Sequence, residues 1–162
     1  MNEQDPGLGG PERAFEPFAP QALTGSVGDR FSEVAERFAD RMNAQGLPGV
    51  FFRPVVFEPT FQKHAKTTCA GCQIHVLDRR EFMPVQTGVA LIIGYHDADP
   101  RQFAWRQPPY EYEHTKMPID ILAGSSELRE KVDYEHNARE IANSWTPAVE
   151  AFRTIRDRYL LY

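Results

Sequence analysis

The hydrophobic positions of residues 29–46 follow a helical period and predict an amphipathic helix. The apolar residues recur at spacings of three and four: Phe31, Val34, Ala35, Phe38 and Met42. Glu33 and Arg37 lie four residues apart on the polar side, where they can pair. Gly46 and Pro48 end the pattern, because neither residue continues a helix readily.

Two short segments have the composition of β-strands. Val50–Phe57 is rich in Val and Phe, but Pro54 has no amide hydrogen to donate to a ladder, which predicts an edge strand or a bulge. Cys72–Leu77 predicts a second strand. Because side chains alternate along a strand, Gln73 and His75 share one face, which we expect to point away from the core.

The middle of the chain predicts a buried helix followed by a long loop. Pro84 suits the first helical position, and the apolar stretch through Ile93 suits a buried helix, although Val89–Ile93 alone fits a strand equally well. Residues 97–118 resemble a loop whose aromatic side chains pack on the protein or bind a ligand. These aromatic residues are Phe103, Trp105, Tyr110 and Tyr112.

The C-terminal stretch predicts further helices. Ser125 is a natural N-cap, and Glu127 follows it in the first turn. One apolar helix face follows at helical spacing: Trp145, Val149, Phe152, Ile155 and Tyr159.

These elements predict an α/β (α+β) fold, with a small mixed sheet and four or five packing helices. Residues 1–28 are rich in Pro and Gly and predict an irregular N-terminal arm, whereas residues 29–162 predict a single domain. We find no internal repeat and no linker that divides the chain further.

Composition excludes several classes of protein. The 162 residues are 41% hydrophobic and 25% charged, which is typical of a globular domain. The net charge of −5 disfavours a nucleic-acid partner. The longest apolar run, Gly88–Tyr95, is too short for a membrane span, and no secretory signal precedes it, so a cytoplasmic location is expected.

Several separate motifs together resemble one protein family. The stretches are 47–64, 69–88, Phe103-Ala-Trp105, Pro109-Tyr-Glu-Tyr-Glu113, Pro118-Ile-Asp-Ile-Leu-Ala-Gly-Ser125, Trp145 and Tyr159-Leu-Leu-Tyr162. They resemble the C-terminal half of the NamZ (YbbC-like) exo-β-N-acetylmuramidases. The resemblance covers about 46–162 and implies peptidoglycan recycling, by hydrolytic release of N-acetylmuramic acid from the non-reducing end of cell-wall fragments.

The resemblance also implies a missing part. Members of this family carry a Rossmann-like N-terminal half with the catalytic glutamate, and nothing in these 162 residues corresponds to it. The stretch 7–16 only loosely echoes the Gly-Arg-Gly-Thr and Pro-Phe-Glu motifs of the family. We therefore expect this polypeptide alone to be catalytically silent or nearly so, and to form one wall of a muropeptide-binding cleft.

Several polar and aromatic residues are candidates for the substrate site. His75 is the candidate for proton transfer, and Gln73 beside it can hydrogen-bond a sugar hydroxyl or acetamido group. The lactyl carboxylate of the substrate needs a cationic partner, for which Arg53, Lys63 and Arg79 are candidates. The remaining candidate substrate-binding residues are Asp78, Tyr110, Glu111 and Tyr112, with the tyrosines stacking on a pyranose ring.

No carboxylate has a sequence context that indicates a raised pKa, as a general acid requires. The carboxylates in the motifs are Glu58, Asp78, Glu111, Glu113 and Asp120. Each is more simply interpreted as a loop, cap or ion-pair residue.

A zinc site and a redox pair are weaker interpretations. His64, Cys69, Cys72 and His75 have a spacing that in principle closes a tetrahedral site. However, a regular strand directs Cys72 and His75 to opposite faces, so we expect buried thiols, no metal and no cofactor.

Three further interpretations stay open. The chain is a stand-alone module that binds cell-wall sugars, or a half-enzyme complemented in trans by a separate N-terminal catalytic half. A domain that has lost a covering partner exposes apolar surface, which also makes a homo-oligomer plausible.

Overall fold

The computed structural model describes residues 27–61, 64–135 and 137–161, with side chains from residue 30 onward. Within these ranges six helices and two strands follow one another, and their bounds are α1 Val27–Ala44, β1 Val50–Phe57, β2 Cys69–Val76, α2 Pro84–Ala98, α3 Pro118–Ala123, α4 Glu127–Glu135, α5 Ala138–Ser144 and α6 Thr146–Arg156. The mixed α/β class is confirmed. The expected arm over residues 1–28 falls almost entirely outside the described residues.

Helix α1 covers one face of the sheet, as its periodicity predicts. Ala35, Phe38, Ala39 and Met42 are buried, whereas Phe31 and Val34 nearer the start of the helix are only partly buried. The helix ends at Ala44, and Gly46 follows with a φ of 61°, a left-handed conformation that favours glycine.

Strands β1 and β2 form an antiparallel pair in which Phe51 lies opposite His75, and Arg53 opposite Gln73. We expected a mixed sheet, but parallel strands need a crossover of about a dozen residues or more. The connection 58–68 is too short for one. Strand β2 also begins three residues before the predicted Cys72, because Cys69–Gly71 pair with the end of β1.

The predicted edge position of Pro54 is confirmed by the hydrogen bonds of Phe52. Asn43 on α1 accepts from the Phe52 N–H at 2.9 Å and donates to its carbonyl at 2.8 Å, so both groups face away from β2. Backbone N–H groups two residues apart in a strand point to the same side, so an amide hydrogen at position 54 would also face this outer edge. The proline therefore costs the ladder no hydrogen bond.

The core lies between the sheet, α1 and the helices that follow. Helix α2 begins at Pro84 as predicted and buries Val89, Ala90 and Ile93. Phe38 and Tyr95 stack with ring centroids 4.5 Å apart. On the far side of α2, Val132 and Ile141 from α4 and α5 complete the cluster.

The aromatic residues of the predicted loop pack on the helices at its start. Phe103 contacts both the His96 ring and Trp105 edge-to-face, with centroids 5.1 Å apart in each pair. The Trp105 indole donates to Asp133 on α4 at 2.9 Å. This part of the loop is therefore fixed to the domain, and its packing interpretation is confirmed for Phe103 and Trp105.

The described residues form six helices, more than the four or five expected, because the C-terminal region divides into several short ones. Asn137 caps α5 by accepting from the Arg139 and Glu140 amides, and Pro147 lies in the first turn of α6. Ser125 accepts from the Glu127 amide at 3.4 Å, although α4 itself begins at Glu127. These caps separate three short helices, α4, α5 and α6.

The apolar face of α6 is exposed in the described part of the chain. No residue of this helix is buried, and the exposed side chains follow one stripe: Val149, Phe152 and Ile155, continued by Tyr159 and Leu160. A contiguous apolar stripe of this kind is typical of a surface that contacts other protein.

None of the described helices combines the length and apolar character that a membrane crossing needs.

Candidate functional site

Four side chains share one face of the strand pair, opposite the face that buries Phe52 against α1. We call this the open face and define it by Phe51, Arg53, Gln73 and His75. In the register, Phe51 pairs with His75 and Arg53 pairs with Gln73. Phe51, Arg53 and Gln73 are exposed, and His75 is half-buried. The shared face of Gln73 and His75 is therefore as the alternation predicts.

Arg53 and Gln73 are joined by hydrogen bonds across the strands. The Arg53 Nε and Nη2 groups both donate to Gln73 Oε1, at 3.2 and 2.5 Å. This bond holds both flexible side chains in one orientation. It leaves the Gln73 amide N–H groups and the other guanidinium N–H groups available to a ligand's carbonyl or carboxylate oxygen.

His75 contributes a polar atom that has no partner within the described ranges. Its Nε2 is buried from solvent and forms no hydrogen bond there. A buried ring nitrogen without a hydrogen bond raises the free energy of the folded state, so a ligand group that bonds to this nitrogen gains affinity. The imidazole can accept or donate depending on its tautomer, which suits a sugar hydroxyl.

Asp78 and Arg79 lie in the turn that follows β2. The Asp78 carboxylate accepts from the Arg80 amide at 2.7 Å, and its carbonyl accepts from Phe82. The Gly49 carbonyl accepts from the Leu77 and Asp78 amides, which attaches the turn to the start of β1. Asp78 thus has a structural role here, whereas Arg79 is exposed.

Tyr110, Glu111 and Tyr112 belong to the loop between α2 and α3. Tyr110 is half-buried, with the Arg106 guanidinium 5.4 Å from its ring centroid. Glu111 and Tyr112 are exposed at the tip of a turn. Lys63 lies outside the described residues.

The structure brings Gln73, His75 and Arg53 together, but within the described residues no hydrogen bond joins the loop tyrosines to them. Arg53 was a candidate for the carboxylate only, and its bond to Gln73 was missed by sequence reasoning. The strand register supplies that pairing. The alternation of Val50–Phe57 would have indicated the face of Arg53, but not its partner.

Two carboxylates of the motifs, Glu113 and Asp120, are engaged in hydrogen bonds within the domain. Thr115 donates to Glu113 through its hydroxyl and amide, and these bonds lower the Glu113 pKa to about 2. Asp120 accepts two bonds from the Arg129 guanidinium, both at 2.9 Å. A general acid instead needs a raised pKa.

Cys69 is a buried thiol, as expected, whereas Cys72 is only partly buried. Burial raises the pKa of both, that of Cys72 to about 11, which makes a reactive thiolate unfavourable. Cys72 lies opposite Pro54 whereas His75 lies opposite Phe51, so the two side chains are on opposite faces of β2. The described residues contain no group of three or more potential metal ligands.

Comparison with known proteins gives a family match and a curated relative. The family described as "Exo-beta-N-acetylmuramidase NamZ, C-terminal" matches residues 26–162. The peptidoglycan beta-N-acetylmuramidase NamZ of Bacillus subtilis (strain 168) is 37% identical over 123 residues. That match covers 76% of this chain but only 28% of the relative.

A solved structure shares the fold. The crystal structure of a DUF1343 family protein from Bacteroides fragilis NCTC 9343 matches with a TM-score of 0.64 at 24% sequence identity. The match covers 79% of this chain and 33% of that one. This chain thus spans about a third or less of each matched protein, and it belongs to the family of NamZ C-terminal domains.

Proposed function

We propose that this domain forms one wall of a cleft that binds muropeptides, in the manner of a glycoside-hydrolase substrate domain. The observation that carries the proposal is the open face, where Arg53 and Gln73 are hydrogen-bonded to each other beside His75. Membership in the NamZ C-terminal family supports the class of ligand. The family name itself describes an exo-β-N-acetylmuramidase.

The chemistry of the open face suits an N-acetylmuramyl group. Its lactyl carboxylate or acetamido oxygen can accept from Arg53 and from the Gln73 amide, and charge-assisted bonds of this kind are among the strongest. The His75 imidazole can bond a ring hydroxyl. Phe51, exposed beside His75, offers an apolar surface for the sugar ring. Arg79, in the turn after β2, is a second cation for the same carboxylate.

We expect the groups that cleave the glycosidic bond to lie outside the described domain. Hydrolysis of a glycosidic bond ordinarily uses two carboxyl groups, one of which is held protonated. Glu113 accepts hydrogen bonds that favour its charged form, and Asp120 is held in an ion pair with Arg129. His75 is a candidate for proton transfer in the complete site. By itself this domain is expected to bind substrate without turning it over.

The exposed stripe of α6 favours a second, related function, in which the domain acts as part of a larger assembly. The two matched proteins are about three to four times as long as the regions that match. In such an assembly, a separate catalytic half docks on Val149, Phe152 and Ile155, and its binding restores hydrolytic activity. A stand-alone sugar-binding module leaves the stripe free for self-association.

Titration of the purified chain with an N-acetylmuramic acid glycoside tests the proposal. Arg53→Ala and Gln73→Ala are expected to weaken binding by roughly ten-fold each, because each loses a hydrogen bond to the ligand. Arg153→Ala is the matched control, since this arginine is exposed on α6 and pairs with Glu150. Equal affinity in all three variants contradicts the open face as the site.

A further inference from the structure

Two reciprocal backbone hydrogen bonds close the exposed turn formed by residues 110–113. The Tyr110 amide donates to the Glu113 carbonyl at 2.9 Å, and the Glu113 amide donates to the Tyr110 carbonyl at 3.0 Å. Between them Glu111 has a φ of 52°, in the left-handed region that favours glycine. A non-glycine residue persists there only where the surrounding structure enforces it.

Both ends of this turn are anchored to their neighbours. The Glu113 carboxylate accepts from the Thr115 amide at 2.7 Å, from the Thr115 hydroxyl at 2.6 Å and from the Lys116 amide at 3.2 Å. Tyr110 is held on the other side beneath the Arg106 guanidinium. Residues 110 and 113 therefore fix the turn, and residues 111 and 112 project from it.

The projecting residues have the chemistry of a saccharide contact. Tyr112 is 90% exposed, and Glu111 is exposed beside it. An aromatic ring held in the open offers a flat apolar surface with a polar tip, and a neighbouring carboxylate accepts from hydroxyl groups. Because the backbone is already ordered, little conformational entropy is lost when a ligand binds.

We propose that Glu111 and Tyr112 form a preorganised saccharide-binding tip, separate from the open face, that grips a sugar ring of a glycan fragment. The class of ligand rests on the proposed function, because the muramyl family supplies it. Tyr112 stacks on one face of a pyranose ring, and the Glu111 carboxylate accepts from a ring hydroxyl. A lone aromatic residue is too small for a stable protein interface, which ordinarily buries about 1,200 Å² or more.

The test maps binding on the full chain by ¹H–¹⁵N NMR, with a disaccharide of N-acetylmuramic acid and N-acetylglucosamine as the probe. We expect shifts at Glu111 and Tyr112 as well as at Gln73 and His75. Tyr112→Ala is expected to weaken binding roughly five-fold, and Tyr112→Phe to retain it, because the ring supplies the contact. Tyr134→Ala is the control, since Tyr134 on α4 is 83% exposed and belongs to neither site.

A second variant separates the ligand contact from folding. Glycine adopts the Glu111 conformation without strain, so Glu111→Gly is expected to keep or raise Tm while it weakens binding. Shifts at Gln73 and His75 with none at the tip, and wild-type affinity in Tyr112→Ala, overturn this inference and leave the proposed function standing. An absence of shifts at both places overturns both. Shifts confined to the tip support this inference and contradict the open face.

Discussion

Asn43 on α1 binds both backbone groups of Phe52 on β1, accepting from its amide and donating to its carbonyl. One side chain thereby takes the place of a neighbouring strand at the outer edge of the sheet. It also holds α1 against the strand whose opposite face carries Arg53 and Phe51. The position of the open face thus depends on this contact.

Replacement of Asn43 by Ala is expected to destabilise the domain by about 2 kcal/mol, because two backbone groups of a buried residue lose their partner. Urea unfolding followed by circular dichroism measures the change. Asn143→Ala on the exposed surface of α5 is the control and is expected to stay within about 0.5 kcal/mol. Equal stability of the two variants would show that water replaces Asn43 at this edge.

Gly46 and Gly49 give a matched pair of substitutions. Both have a positive φ, of 61° and 66°, so Ala at either position costs about 1 kcal/mol of backbone strain. A Cβ at Gly46 meets no atom, whereas at Gly49 it meets the Asp78 carbonyl and comes within 2.7 Å of the Phe82 nitrogen. Gly49→Ala should therefore lose about 1–3 kcal/mol more than Gly46→Ala in unfolding titrations. Equal losses would contradict the tight contact between β1 and the 77–82 turn.

Two phenylalanines distinguish the core from the exposed stripe. Phe52 is 1% exposed, and Phe52→Ala is expected to cost about 3–5 kcal/mol through loss of burial and a cavity. Phe152 is 60% exposed, and Phe152→Ala is expected to change the free energy of unfolding by less than about 0.5 kcal/mol. A large loss for Phe152→Ala in the isolated chain would mean that α6 is already covered.

Glu113 predicts a loop that responds to acid. Hydrogen bonds from Thr115 and Lys116 hold its pKa at about 2, below the ordinary 4.5. A depressed carboxyl pKa stabilises the folded loop fully above the unfolded value, and this contribution is lost as pH falls from about 4.5 toward 2. NMR titration of the Glu113 carboxyl carbon should give a midpoint near 2, and Thr115→Val should raise it. A wild-type midpoint near 4.5 would contradict the hydrogen bonds from Thr115 and Lys116 to Glu113.

The elements with strong periodicity could be predicted from sequence. The stripe from Phe31 to Met42 gives α1, and Pro84 marks the start of α2. The start of β2 could not be predicted, because Cys69, Ala70 and Gly71 have no strand pattern of their own and pair only in the presence of β1. The exposure of α6 also escapes prediction, since its apolar face resembles that of a packed helix.

Only those features of the candidate site that depend on local sequence pattern could be predicted. Alternation along the strand places Gln73 and His75 on one face, and this needs no tertiary information. The bond from Arg53 to Gln73 depends on register across a long connection, which the sequence does not specify. The structural role of the Asp78 carboxylate depends likewise on a turn that the contact with Gly49 holds in place.

The most direct test of the account follows a β-linked N-acetylmuramic acid glycoside and the ¹⁵N-labelled chain in one NMR sample. If the open face binds the sugar and the cleaving groups lie elsewhere, we expect saturable shifts at Arg53, Gln73 and His75, while the anomeric signal of the glycoside stays constant for hours. Steady release of free N-acetylmuramic acid, or a spectrum that the glycoside leaves unchanged, would contradict it.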